Sequence, residues 1–178
     1  MASETFVSAL MLITGVVAAS ILIVAVLPMI WGMVGTFSSA SAATDRSMRT
    51  DFKIVTTYAR YSSTIPAGAN VTVWMKNTGD ERISFPQINS SAEVYVGKFD
   101  NFGRANWYLA AQPKQNLRWS YVFFEPSATQ LNGYWDPGET IQVDTYTTSI
   151  TASGQVVYFQ FTLPGGISRS AQFTVMAV

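Results

Sequence analysis

The chain has 178 residues, of which 48% are apolar and only 12% charged, with 11 acidic and 11 basic side chains and no His or Cys. The even charge balance lacks the basic surplus that nucleic-acid binding requires. Without His or Cys there is no imidazole base, thiol nucleophile, disulfide or ordinary zinc or haem site, so no cofactor is expected and the chain must hold itself together by packing.

The first element is a helix. Residues 5–44 carry no charge at all, and 6–34 are mostly Val, Ile, Leu, Met and Ala. As a helix that apolar run is roughly 43 Å long, against the ~30 Å of a bilayer core. It exceeds the apolar region of a cleaved secretory signal, and no Lys or Arg precedes it, so it reads as a retained segment although Ala40-Ser41-Ala42 has the character of a cleavage site. Gly15 and Ala19, spaced four apart, are the candidates for close helix–helix packing. Pro28 predicts a kink, Trp31 takes an interfacial position, and Gly32, Gly35 and 38–43 read as a looser extension.

The domain plan is therefore 1–44 as a hydrophobic membrane or filament-core helix, 45–51 as a polar linker and 52–178 as a β-domain. Arg46 and Arg49 in the linker would, by the positive-inside rule, leave the β-domain in the cytoplasm. The extracellular character of that domain outweighs the rule, and the domain is expected outside.

From Phe52 onward the period changes to two. Val71, Val73 and Met75 alternate with Thr72, Trp74 and Lys76; the same holds for Val94 and Val96, for Trp119, Tyr121 and Phe123, for Ile141 and Val143, for Val157, Phe159 and Phe161, and for Phe173 and Val175. Alternation in short runs marks strands with one buried face. Turn residues divide the runs at Asn77-Thr78-Gly79-Asp80, Asn132-Gly133, Asp136-Pro137-Gly138 and Pro164-Gly165-Gly166. About eight or nine strands result, with no helical periodicity among them, which predicts a mainly β fold: an immunoglobulin-like β-sandwich behind a long N-terminal hydrophobic helix. The stretch 97–115 is ambiguous between a long aromatic loop and an edge hairpin, and the loop, with its aromatics folded onto the core, is the preferred reading. Phe102, Trp107 and Tyr108 within it are the alternative, a candidate partner surface.

Enzymatic templates fail in turn. No Ser-His-Asp or Cys-His pair can form, and there is no phosphate-binding or dinucleotide fingerprint. Asp136 and Glu139 read as turn acids rather than as a carboxylate pair or a calcium site, and no metal site is expected. Asn70-Val71-Thr72 and Asn89-Ser90-Ser91 fit the N-glycosylation pattern, which makes Asn70 and Asn89 candidate acceptors near strand ends.

Residues 1–10 (MASETFVSAL) with the uninterrupted helix behind them resemble the start of archaeal flagellin-family proteins. Residues 71–79 (VTVWMKNTG) and 136–141 (DPGETI) resemble strand–turn patterns of the same family's sandwich domain. The resemblance implies a non-enzymatic structural part of the archaellum in the cell envelope of an archaeon. Filament-forming members usually begin with a basic leader, absent here, so the accessory stator members of G and F type are the better match. That match implies a helix in the membrane, a sandwich outside the cytoplasm, and as partners other copies of the chain, archaellum accessory proteins and the S-layer protein. The alternative is an extracellular filament subunit whose helices form the filament core. A third reading is a membrane-anchored carbohydrate- or protein-binding module.

Overall fold

The computed structural model describes residues 2–63, 67–109, 115–123 and 132–176. The chain forms two compact units, 1–45 and 46–178. The first is helical. Helix α1 spans Ala2–Arg49 and runs through Pro28 without a break. The looser extension expected after Gly32 is thus helical, as is the linker through Arg49. Several of its hydroxyls are satisfied locally: Thr14 donates to Leu10 O at 2.8 Å, Ser20 to Val16 O at 2.8 Å and Thr44 to Ala40 O at 2.9 Å. Back-bonding of this kind hides polar groups against the helix's own backbone, so Ser and Thr do not interrupt an apolar surface.

The second unit is a sandwich. Its strands are β1 (Phe52–Ser62), β2 (Gly68–Asn77), β3 (Ile83–Ser84), β4 (Glu93–Lys98), β5 (Asn101–Trp107), β6 (Arg118–Phe123), β7 (Tyr134–Trp135), β8 (Thr140–Thr147), β9 (Val156–Thr162) and β10 (Ser168–Thr174). The main sheet has the order β1-β2-β8-β6-β5-β4-β9-β10. It folds into two four-stranded layers. One hinge is the short parallel pairing of β5 with β6, at Asn106–Arg118 and Trp107–Trp119. At the other margin Arg60 of β1 bridges Met176, with Met176 N–H donating to Ala59 O at 2.9 Å, so the sheet is nearly closed.

The alternating residues meet between the layers. Val71, Val73, Met75, Ile141 and Val143 from one layer and Val94, Val96, Val157, Phe159 and Phe161 from the other are all fully buried. Aromatic edges lock the layers: Phe161 meets Trp119 at 5.7 Å and Phe52 at 5.6 Å, both near perpendicular. Such pairs add about 0.5–1.5 kcal/mol each beyond the area they bury.

Two local expectations are corrected. A short helix, α2 (Phe85–Ser91), interrupts the strands, with Pro86 in its first turn and Phe85 and Ile88 buried. Asn89 therefore lies on a helix and not near a strand end. The stretch 97–115 is not a loop to its full length: β4 and β5 form a hairpin, and β5 lies inside the sheet between β4 and β6. Residues 110–114 lie outside the described residues.

Candidate functional site

The longest exposed apolar surface is that of α1. Residues Ser3–Ala42 form a 40-residue helix segment, apolar enough to cross a membrane, no part of which the rest of the chain buries. At 1.5 Å per residue its length is about 60 Å, twice a bilayer core. The large side chains, from Phe6 through Ile21, Leu27 and Trp31 to Phe37, stay exposed on every face. Exposing a side chain of this type to water costs roughly 1.5–3 kcal/mol, so even twenty of them make an aqueous state of this helix untenable. A helix apolar all round is covered by lipid or by other helices.

Gly15 and Ala19 lie one turn apart on this surface, both exposed. A Cβ placed on Gly15 would meet nothing within 4 Å. The glycine answers no need inside its own chain.

The helix ends in a neck that sequence reading missed. Arg49 O accepts from Asp80 N–H at 2.8 Å and Glu81 N–H at 3.3 Å, and Asp51 O accepts from Thr78 and Gly79 N–H, both at 3.0 Å. These bonds satisfy carbonyls that a helix end otherwise leaves orphaned. Gly79 is required because a Cβ there would run into the Arg49 carbonyl oxygen and Asp51 N. Asn77 anchors the turn from beneath. It is fully buried, donates to Glu81 O and Trp135 O at 3.0 Å each, and accepts from Gly79 N–H at 3.0 Å. On the other side Arg169 pairs with Asp51 at 2.6 Å and donates to Phe52 O at 3.2 Å. The Asn-Thr-Gly-Asp signal revealed a turn; what the turn grips depends on tertiary position.

The nominated aromatics divide. Trp107 packs against the core, and Tyr108 is half-buried with its N–H donating to Trp119 O at 3.0 Å. Phe102 is half exposed, packed against Tyr158 with ring centres 4.6 Å apart. The acids at the 136–139 turn fasten it: Asp136 N–H donates to Glu139 Oε2 at 2.9 Å, and Asp136 pairs with Arg82 at 3.2 Å. Among the described residues no group of three metal-ligating side chains occurs. Asn70 is half-buried in β2, and Asn89 is half-buried on α2 within hydrogen-bonding reach of Tyr121.

A model of the archaeal-type flagellin family matches residues 2–173, helix and sandwich together. Direct comparison with curated protein sequences finds no match. Among solved structures, the chain is similar to the archaeal flagellum of Methanospirillum hungatei strain JF1, at 13% identity over 94% of this chain and 91% of that one, with a TM-score of 0.66. It is similar to the archaeal flagellin FlaB1 of Methanocaldococcus jannaschii, at 12% identity over 71% and 90% of the two chains, TM-score 0.53. The archaellum periplasmic stator protein FlaG of Sulfolobus acidocaldarius matches at 22% identity over 70% and 99%, TM-score 0.48.

Proposed function

The chain belongs to the archaeal-type flagellin family and is a structural component of the archaellum; from that premise we propose that it is an accessory part of the motor, without enzymatic activity, held in the cytoplasmic membrane by α1. The sandwich then lies outside the cytoplasm and bears on stator partners and the S-layer protein. The observation that carries this reading is the 40-residue apolar surface leading through a polar neck into a well-packed sandwich. Anchorage is its physical content: a bilayer core of about 30 Å covers half of that surface, and withdrawal from it is prohibitively costly. The other half needs protein around it, and Gly15 and Ala19 supply a low-bulk stripe for a second copy of the helix.

That excess length also favours a second reading. In a filament subunit all of the apolar helix lies in a bundle, with the sandwiches outside. Cell fractionation separates the two. An accessory motor protein stays with the membrane and is missing from sheared filaments; abundant chain in sheared, washed filaments would overturn the first reading in favour of the second.

A further inference from the structure

A groove of about 380 Å³ opens at one end of the sandwich, where Asn101 and Phe102 of the β4–β5 hairpin face Asn116 and Leu117 before β6 and Thr148 and Ser149 after β8. No residue lining it is ionisable. Its polar groups are amides and hydroxyls, several of them uncommitted. Asn116 Oδ1 accepts from Thr148 N–H at 2.9 Å, which leaves the Asn116 Nδ2 group without a partner among the described residues. The side chain of Asn101 and the hydroxyl of Thr148 likewise have none there. Leu117 is the one described non-glycine residue with positive φ, at 54°. Its backbone is pinned there by bonds from Asn106 N–H to its O and from its N–H to Tyr146 O, both 2.9 Å. A leucine held in this conformation costs about 1–2 kcal/mol, and strain of that kind gathers at binding sites.

Beside the groove the outer face of the β5-β4-β9 layer carries a row of rings. Phe102 lies 4.6 Å from Tyr158, with Tyr95 at 6.5 Å from Phe102 and Phe99 at 6.4 Å from Tyr158. Gly97 pairs with both Phe102 and Tyr158, and a Cβ on it would come within 2.5 Å of the Phe102 backbone. The charges around the row cancel in pairs: Lys98 with Asp100 at 3.0 Å and Arg104 with Glu93 at 3.3 Å.

We propose that the groove and the Phe102 ring beside it bind a neutral saccharide. Sugars present C–H faces that stack on aromatic rings, whose faces are electron-rich, and hydroxyls that need uncharged donors and acceptors. A charged ligand would find no unpaired counter-charge here. A protein partner would find too little surface: the exposed halves of Phe99 and Phe102 amount to roughly 200 Å², against the ~800 Å² per side of a standard protein interface. The inference stands apart from the choice between motor component and filament subunit.

The test uses the full chain in a detergent without a sugar headgroup, titrated with a neutral disaccharide such as cellobiose and followed by NMR. Saturable shifts at the Asn116 amide and Phe102 ring are expected. Asn116→Asp keeps the oxygen that accepts from Thr148 and so preserves the loop; it and Phe102→Leu should each weaken binding by about tenfold or more. Retention of the protein by untreated but not periodate-oxidised cell envelopes places the saccharide on a surface glycan; binding of disaccharide alone leaves a free sugar as the ligand. The proposal is overturned by absence of saturable binding, by an affinity unchanged from the parent chain in either variant, by an equal response to a uronic-acid disaccharide, or by self-association of the chain that Phe102→Leu abolishes.

Discussion

At the scale of single residues, the neck depends on Asn77 and Gly79. Asn77 has three side-chain hydrogen bonds in a fully buried position, so Asn77→Ala removes an amide and strands the carbonyls of Glu81 and Trp135, while Gly79 N–H keeps Asp51 O. A loss of about 2–4 kcal/mol is expected, read as a lowered unfolding midpoint of the full chain followed by near-ultraviolet circular dichroism. Gly79→Ala meets backbone on its blocked side, which cannot rotate away, and should cost about 1–3 kcal/mol by the same measurement. Both residues were legible as turn formers. The burial of Asn77 and the close approach at Gly79 were not, because a turn motif records local backbone need and carries no information on what packs above it.

At the scale of elements, α1 and the strands stood out in the sequence for one reason. Local pattern alone declares each of them, α1 by a continuous uncharged apolar run and the strands by alternation, as in Val71, Val73 and Met75 of β2, and nothing local competes. Helix α2 was missed because seven residues give barely two turns, too few for a 3.6-residue period to show; Pro86 near its start was the available signal. The β4–β5 hairpin was weighed but not preferred because Phe99-Asp100 lacks the glycine or asparagine-glycine that announces a tight turn. The ambiguity there hid the groove and its Phe102 wall, while the fold of Trp107 onto the core was anticipated. For α1 the spacing of Gly15 and Ala19 leads to a sharp expectation. Gly15→Leu with Ala19→Leu leaves the isolated helix unstrained, since nothing lies within 4 Å of the Gly15 position. Helix–helix association in lipid should nevertheless weaken by about 1–2 kcal/mol, seen as lost cross-linking or energy transfer between copies in vesicles.

At the scale of the whole molecule, the absence of His and Cys shapes the response to pH. No side chain with an ordinary pKa near neutrality exists, so stability of the sandwich should be flat from about pH 6 to 9. The alkaline limb is set by two phenols, Tyr146, which is buried, and Tyr121, which is half-buried. Burial pushes Tyr121 above its ordinary 10.0, partly offset by the Asn89 amide beside it, and burial followed by Tyr61 nearby pushes up Tyr146. A raised phenol pKa means that the unfolded chain ionises first as pH climbs past 10.0. Stability is therefore complete below that value and falls above it, until the folded phenols ionise too. Tyr146→Phe should flatten this limb in unfolding midpoints measured across the alkaline range.

The account as a whole rests on a helix sheltered from water and a sandwich outside the cytoplasm. The Cys-free chain makes that directly measurable, since single cysteines report alone. Ser20→Cys on α1 and Ser170→Cys on β10, each treated in intact cells with a membrane-impermeant maleimide, test both halves together. The account predicts that Ser170→Cys is labelled at once and that Ser20→Cys stays unlabelled until detergent is added. Protection of Ser170→Cys until the cells are lysed, or ready labelling of Ser20→Cys, would contradict it.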